Sequence, residues 1–569
     1  MTMETPWEIA DSAANVLAPE SELFANPDIA AFGQALAQAA RGLAAHPVQT
    51  AEATLKFVGG LAQVPAVALA RWLGHEAAPM FPVNARDRRF SDSAWNDNPI
   101  FYSLRQLFVG VSELTEQLLG MAGLDSLTER KAQLAASLVL DSLAPTNFLP
   151  TNPAALKRAF DTAGRSVAKG AQNFVDDLLH NDGRPRQVDT TPFTLGENMA
   201  ATPAKVVYRN ELMELLQYEP QTEAVHATPL LCSPPWINKY YVMDLAPNRS
   251  FIEWAVKHNR TVFAISYRNP TAEMSGVTLD DYLIQGPQTA LDVIADITGA
   301  DNIDIVGLCM GGALTAITDA YLTAIGDSRI GNLTLLNTML DYSDPGALGI
   351  FTDAATVSKL EKQMRKKGHL PGESMAGTFD MMRANDLIFN YVVSNWLMGQ
   401  SPPAFDILAW NADSTRLPAA MHAFYLRNFY VENKLPTGEL EIAGRQIRLD
   451  EIKKPTYVVS AENDHIVPWQ SAYATTQLLS GPVRFILSSG GHIAGIVNPP
   501  GPKGWYLTGD ELPPEPLAWR EGTVRHAGSW WEDWATWSAA NAGELVDPPR
   551  TGSDSFPVIE KGPGRYIFT

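Results

Sequence analysis

Cysteine is nearly absent from this chain of 569 residues, which carries just Cys232 and Cys309. Two cysteines cannot build the disulfide framework of a small secreted protein, and they are compatible with a reducing cytosol. Positive charge is scarce as well, because 43 Lys and Arg stand against 63 Asp and Glu, for a formal net charge of −20. This balance predicts no nucleic-acid partner, and an anionic ligand would need a local basic pocket.

Long apolar runs are missing too. The most apolar early stretch, Val58–Leu73, is interrupted by Gln63, Pro65 and Arg71 and is shorter than the roughly 20 residues of a membrane span. We therefore predict no transmembrane segment, and we interpret the stretch as a helix packed on its neighbours. The first eight residues are acidic where a signal peptide is basic, which predicts a cytoplasmic protein.

The sequence pattern changes near residue 190. From Pro27 to about Leu179 the chain is rich in Ala and Leu at helical spacing, which predicts a mostly helical N-terminal domain. His180–Arg186 is polar and contains turn residues, so we interpret it as a linker. We place the helical domain at residues 1–190 and a catalytic domain at residues 191–569.

After the linker, short β-rich runs alternate with amphipathic helices, as is typical of a parallel sheet covered by helices. Between about residues 340 and 448 this alternation stops, and the aromatic, helical sequence there predicts a cap inserted over an active site. The predicted strands are 228–231, 261–266, 303–306, 332–336, 456–460 and 483–487, with predicted helices at 281–297 and 312–325.

The strongest local signal is IDIVGLCMGGAL at residues 303–314, where a β-rich run, a Gly-x-Cys-x-Gly turn and a helix follow one another. This is the nucleophile elbow of an α/β-hydrolase fold, with Cys309 as the nucleophile. The Met310 N–H would be one oxyanion donor, and Ile237, in the loop after an earlier strand, the second. The alternative is a buried structural cysteine beside packing glycines, which is how we interpret Cys232.

An elbow of this kind needs an acid and then a histidine later in the chain. Asp464 follows one predicted strand, and His492 lies in a Gly-rich loop after the next. We therefore predict Asp464 as the orienting acid and His492 as the base. Glu462 and His465 are the competing residues, and the alternative role for Asp464 is an Asx turn cap.

A thiolate that attacks a thioester exchanges one thioester for another at little thermodynamic cost, so this nucleophile suits acyl transfer. The residues alone predict a cysteine-dependent acyltransferase or hydrolase. The sequence contains no phosphate loop, spaced set of metal ligands or dinucleotide fingerprint, so we predict neither a cofactor nor a metal ion.

Beyond this trio, the chain resembles the polyhydroxyalkanoate synthases, and most of all their class I group, from about residue 190 to residue 566. One departure is Trp236, where the family often has a cysteine. The likeness is carried by PPWINKYY at 234–241, SYRNP at 266–270, NDLIFNY at 385–391, DHIVPW at 464–469 and GHIAGIVNPP at 491–500.

The resemblance implies that Cys309 carries the growing chain as a thioester, with His492 as base and Asp464 as acid. The implied substrate is an (R)-3-hydroxyacyl-coenzyme A, whose 3-hydroxyl would be activated by His492 alone or together with Asp464. Coenzyme A would be released at each addition, as part of the substrate rather than as a cofactor. The class also implies a homodimer at the surface of polymer granules in the cytoplasm.

Two other functions stay open on the sequence alone. A cysteine thioesterase or ester hydrolase of the same fold would share the trio and differ in letting water reach the acyl-enzyme. A non-catalytic granule-coat protein would not depend on Cys309.

Overall fold

The computed structural model describes residues 29–84 and 87–569. The first eight residues, from which we predict the absence of an export signal, lie outside this range. Contacts divide the chain into two compact units. The first comprises the residues up to Asp189 together with Glu373–Pro403, and the second comprises Thr190–Gly372 and Ala404–Thr569.

Helices make up most of the described chain before residue 180, which confirms the predicted helical character of this region. Side-chain caps begin several of them: Asn98 accepts hydrogen bonds from the N–H groups of Ile100 and Phe101, and Asp125 caps the following helix in the same way. The helices are Ile29–Ala45, Pro47–Trp72, Ala94–Asp97, Pro99–Met121, Ser126–Ser142, Pro153–Asp161 and Arg165–His180.

The apolar stretch at residues 58–73 lies in the 26-residue helix Pro47–Trp72, apart from its last residue, Leu73, which caps the helix. The helix continues through Pro65. Val64 and Ala68 pack against Phe81, yet just 17% of the most apolar window of this helix is buried. Among the described residues it is the one helix with the length and composition to cross a membrane. The absence of a membrane span therefore stays a prediction.

Residues Glu373–Pro403 group with the first unit, although their sequence is part of the predicted cap. Trp396 Nε1 donates to Asp177 Oδ2 at 2.8 Å, and Asn395 Nδ2 donates to the Arg186 carbonyl oxygen at 2.7 Å. These bonds join residues 219 and 209 positions apart, so no local pattern reveals them. The domain limits stay a prediction. The segment contains most of the helix Gly372–Met382 and the π-helical turns Asn385–Phe389 and Val392–Leu397.

An 11-stranded mixed sheet forms the centre of the second unit. In chain order the strands are β1 Ala204–Arg209, β2 Met213–Tyr218, β3 Leu230–Ser233, β4 Val262–Tyr267, β5 Ile303–Leu308, β6 Ile330–Leu336, β7 Thr456–Ala461, β8 Val483–Ser488, β9 Trp505–Thr508, β10 Val524–Ala527 and β11 Glu560–Lys561. Their order across the sheet is β10, β9, β8, β7, β6, β5, β3, β4, β2, β1, β11. Strands β3 to β8 pair in parallel, and the strands towards both edges are antiparallel.

The six predicted strands are the six parallel strands β3 to β8, and the predicted α/β-hydrolase architecture is confirmed. Parallel strands are covered on both faces and read as continuous apolar runs, and β5 and β7 are buried at every position. The antiparallel strands escaped prediction. In β2, for example, the buried Glu214 accepts hydrogen bonds from the backbone N–H groups of Arg565 and Tyr566, near the far end of the chain.

The helix predicted at residues 281–297 is interrupted. Gly286 has φ −93° and ψ −109°, and Pro287 supplies no N–H, so the chain kinks there. The helices and π-helical turns of the second unit are Phe251–Lys257, Leu279–Leu283, Ile284–Gln288, Thr289–Thr298, Met310–Ala324, Ala354–Lys367, Asp406–Ala412, Ala419–Tyr425, Leu426–Val431, Lys434–Thr437, Trp469–Tyr473, Thr475–Leu478, Pro516–Glu521 and Trp530–Asn541.

Candidate active site

Cys309 lies at a sharp turn between β5 and the helix Met310–Ala324, which we call the elbow helix. Its φ of 54° is unusual for a residue with a side chain and costs about 1–3 kcal/mol. The flanking glycines permit this turn: a Cβ on Gly307 would lie 2.4 Å from Thr315 Oγ1, and one on Gly311 would lie 2.3 Å from the Ser233 carbonyl oxygen. The structure therefore has the predicted elbow geometry, and Cys309 is partly exposed.

Asp464 and His492 meet at the carboxyl ends of β7 and β8. His492 Nδ1 and Asp464 Oδ2 are 2.6 Å apart, and both side chains are almost fully buried. A carboxylate can only accept, so Nδ1 carries the proton and Nε2 is left for another partner. The other oxygen of Asp464 accepts from the N–H groups of Ile466 and Val467, so the residue is an Asx cap and a histidine partner at once.

The pKa of His492 is raised well above its ordinary value. Burial alone would lower it, but the negative charges of Asp464 and Cys309, together with side-chain hydrogen bonds to both, more than offset burial. Cys309, His492 and Asp464 are therefore close enough to act on one another. In this arrangement a proton can pass from the sulfur to the imidazole, leaving a thiolate that can form a covalent acyl-enzyme.

The competing acid has a different partner. Glu462 forms an ion pair with Arg520, whose guanidinium also lies over the ring of Trp469. The hydrogen bond to His492 comes instead from Asp464. The geometry thus favours Asp464 over Glu462.

The two predicted oxyanion donors lie on neighbouring segments. Met310 is the first residue of the elbow helix, where backbone N–H groups have no acceptor within the helix. Ile237 belongs to the loop after β3, and this loop reaches the elbow helix where the Ser233 and Pro234 carbonyl oxygens abut Gly311. The segment that leads to Ile237 thus reaches the start of the elbow helix, and the role of Met310 and Ile237 as oxyanion donors stays a prediction.

Sequence reasoning missed Asn337, which follows β6. Its side-chain amide donates a short hydrogen bond to the backbone carbonyl oxygen of His492, and its own N–H donates to Val459 at 2.8 Å. Asn337 is fully buried, and its φ of 43° lies in the left-handed region that Asn tolerates better than most residues. Its hydrogen bonds connect the ends of β6 and β7 to the loop that carries His492, and no motif in the local sequence predicts them.

Sequence reasoning also missed a wall of aromatic side chains beside Cys309. The hydroxyls of Tyr342 and Tyr425 are 3.0 Å apart, and Phe429 and Tyr430 pack against both rings. Burial raises the pKa of Tyr342, Tyr425 and Tyr430, and the negative charge of Cys309 contributes to each shift. All four side chains come from the segment predicted to be a cap.

Cys232 has the surroundings of a structural residue. It is fully buried in β3, and burial raises the pKa of its thiol far above the ordinary value. A thiol that resists ionisation is a poor nucleophile, so Cys232 is unsuited to catalysis.

Two family profiles match the chain. The profile described as "Poly-beta-hydroxybutyrate polymerase (PhaC) N-terminus" matches residues 86–255, and the one described as "alpha/beta hydrolase fold" matches residues 244–499. The second match contains Cys309, Asp464 and His492.

Several curated proteins are similar over most of the chain. "Poly(3-hydroxyalkanoate) polymerase subunit PhaC" of Rhizobium meliloti (strain 1021) is 38% identical and covers 98% of this chain and 93% of its own length. The protein of the same name from Cupriavidus necator is 41% identical, over 84% of this chain and 83% of its own length. "Poly(3-hydroxyalkanoate) polymerase 1" of Ectopseudomonas oleovorans is 40% identical, over 84% of this chain and 86% of its own length. The family predicted from the sequence motifs is thereby confirmed: this chain belongs to the poly(3-hydroxyalkanoate) polymerases.

Proposed function

We propose that this chain polymerises (R)-3-hydroxyacyl-coenzyme A into a polyester and releases one coenzyme A for each unit added. The observation that carries the proposal is the elbow cysteine, Cys309, whose negative charge helps to raise the pKa of a histidine that Asp464 holds at 2.6 Å. Membership of the family supplies the substrate class.

In the loading step, His492 already holds the proton that the Cys309 thiol has given up, and the sulfur attacks the thioester carbonyl carbon. The bond from that carbon to the sulfur of coenzyme A breaks, and the departing thiolate takes the proton from His492. The backbone N–H groups of Met310 and Ile237 would stabilise the negative charge on the carbonyl oxygen during the attack. The raised pKa of His492 favours a resting imidazolium, which suits a thiolate as its partner.

In the elongation step, the 3-hydroxyl of a second substrate attacks the thioester on Cys309. The hydroxyl proton passes to the imidazole of His492, whose orientation Asp464 maintains. A new ester C–O bond forms, the C–S bond to Cys309 breaks, and the sulfur recovers the proton. The lengthened chain, still a coenzyme A thioester, then reloads onto Cys309 and releases coenzyme A.

Polymerisation rather than hydrolysis requires that water reach the acyl-enzyme slowly. The aromatic wall supports this, because Tyr342 and Tyr425 are each less than a tenth exposed and lie near enough to Cys309 for its charge to raise their pKa values. A bulky hydroxyacyl group can be held against such a wall by apolar contact, whereas water gains nothing from it.

Family resemblance supports three further parts of the proposal. The chain would act as a homodimer, in the cytoplasm, at the surface of the polymer granules that it makes. It would need no cofactor, since coenzyme A enters and leaves as part of the substrate. Sedimentation of the purified chain with and without substrate tests the dimer, and imaging of a fluorescent fusion tests the granule location.

The decisive experiment is a product analysis with (R)-3-hydroxybutyryl-coenzyme A. We expect coenzyme A release, insoluble polyester and, after rapid quenching and trypsin digestion, hydroxyacyl mass on the peptide that contains Cys309. Stoichiometric free hydroxyacid without polyester would instead identify a thioesterase. Coenzyme A release without an adduct on that peptide would overturn the role of Cys309.

A further inference from the structure

The second unit carries a concentrated basic surface, although the chain as a whole is acidic. In Lys359–Lys367, five of nine residues are Lys or Arg, whereas the whole chain has a net charge of −20. The segment is the C-terminal part of the helix Ala354–Lys367, which we call the basic helix. Lys362, Arg365 and Lys366 are exposed, share one face of the helix, and form no ion pair in the described part of the chain.

The opposite face of the basic helix is anchored above the candidate active site. Val357 and Met364 are buried at 0% and 1% exposure against the neighbouring segment Ala419–Val431, and Arg427 of that segment donates to Glu361 at 2.8 Å. The same segment carries Tyr425, which belongs to the aromatic wall beside Cys309. The basic helix therefore packs on the same segment that supplies aromatic side chains beside Cys309, and its basic face points away from that segment.

The end of the basic helix also lies at the catalytic edge of the sheet. Gly368 ends the helix with φ +80°, and a Cβ there would lie 2.9 Å from the carbonyl oxygen of Ala272. Ala272 belongs to the turn that follows the carboxyl end of β4. The carboxyl ends of the parallel strands also carry Cys309, Asp464 and His492, so the basic face and the reacting sulfur share one side of the sheet.

We propose that Lys362, Arg365 and Lys366 form a docking surface for the phosphate groups of the coenzyme A moiety. This inference rests on the proposed function and names the part of the chain that attracts the substrate. The 3′-phosphate and the diphosphate are strongly anionic, and a surface with a large negative net charge repels them. A local cluster of exposed cations reverses the field where the thioester must enter, and it raises the rate of productive encounter.

The test is charge reversal on the basic face compared with charge reversal at the opposite edge of the sheet. K362E/K366E changes two exposed lysines one helical turn apart. R445E/K453E makes the same change in net charge at two exposed residues that precede β7, at the amino edge of the sheet. Both pairs lie in the second unit of the full-length chain, and circular dichroism with thermal melting establishes that each variant folds.

At about 20 mM ionic strength we expect K362E/K366E to lower kcat/KM for (R)-3-hydroxybutyryl-coenzyme A about tenfold, and R445E/K453E to change it less than about twofold. The difference should fade towards about 1 M salt, where charges are screened within about 3 Å. With the N-acetylcysteamine thioester of the same acid, which has no phosphate, neither variant should differ from the parent.

Binding measured without turnover separates this inference from the proposed function. In a C309A background, calorimetric titration with the coenzyme A thioester should show weaker binding for K362E/K366E than for R445E/K453E. Equal losses in the two variants, equal losses with the N-acetylcysteamine thioester, or unchanged binding would each overturn the docking surface. Free hydroxyacid as the product would overturn the polymerase proposal and leave the charge comparison intact.

Discussion

The two halves of the candidate active site are organised over different distances along the chain. Cys309 owes its geometry to consecutive residues, since β5, the Gly-rich turn and the elbow helix follow one another between residues 303 and 324. His492 depends on Asp464, 28 positions away, and on Asn337, 155 positions away. The candidate nucleophile is therefore positioned by local backbone geometry, whereas the candidate base is positioned by contacts between separate strands.

Removing the nucleophile should give the largest effect. C309A deletes the attacking sulfur, so we expect coenzyme A release to fall about 10⁴-fold or more, as when the nucleophile of a hydrolytic triad is lost. Alanine is small enough for the turn, so the fold should persist. The measurement is the initial rate of coenzyme A release, alongside circular dichroism.

The matched control is the other cysteine. C232A removes a buried sulfur from β3, so it should cost about 1 kcal/mol of stability and leave coenzyme A release close to that of the parent. A C309A protein that still forms polyester at the parental rate would show that the elbow is not the catalytic centre.

Neutralising the acid should give the next largest effect. D464N removes one of the two negative charges that raise the pKa of His492, so that pKa falls. The reactive imidazolium then loses its proton at lower pH, and the alkaline limb of the rate profile should shift towards acid. We expect the maximal rate to drop on the order of 10³-fold, because the imidazole also loses its orientation.

Glu462 supplies the comparison for this change. E462Q breaks an ion pair with Arg520 and leaves the hydrogen bond between Asp464 and His492 in place. Its pH profile should match that of the parent. If E462Q shifted the alkaline limb and D464N did not, the two carboxylates would have to exchange roles.

Loosening the histidine loop should have a moderate effect. N337G keeps the left-handed backbone without strain but removes the amide that donates to the His492 carbonyl oxygen. Since one hydrogen bond is worth about 0.5–1.5 kcal/mol, we expect kcat to fall roughly 3- to 10-fold with little change in KM. Asn259 is the control, with φ 61° and an amide that donates to Ala224 away from the catalytic edge of the sheet. N259G should leave kcat unaltered, and an equal loss in both variants would mean a general effect on stability.

The smallest effect should come from the aromatic wall. Y425F leaves the buried hydroxyl of Tyr342 without its partner at 3.0 Å, so we expect about 1 kcal/mol less stability and less than a threefold change in coenzyme A release. Y342F/Y425F removes both hydroxyls and should recover most of that stability, as measured by urea unfolding. If the double variant were less stable than Y425F, the hydroxyl pair would not be the source of the loss.

Sequence patterns predicted what depends on neighbouring residues. The six parallel strands were found because each is a short apolar run, and the elbow was found because glycines two positions on either side of Cys309 are required for the turn. The antiparallel strands were missed, because buried polar residues such as Glu214 obscure the apolar pattern and have partners at the opposite end of the chain. The break at Gly286–Pro287 was missed because the helical spacing continues on both sides of it.

The family, the parallel core and the candidate thiol follow from motifs and periodicities within a few tens of residues, so the sequence alone predicts them. Tertiary structure decided which side chains surround that thiol. No sequence motif marks Asn337, the tyrosine pair or the basic helix. Folding brings them to the edge of the sheet where the carboxyl ends of separate strands meet. Burial there turns weak individual contacts into electrostatic and hydrogen-bond interactions that no linear pattern records.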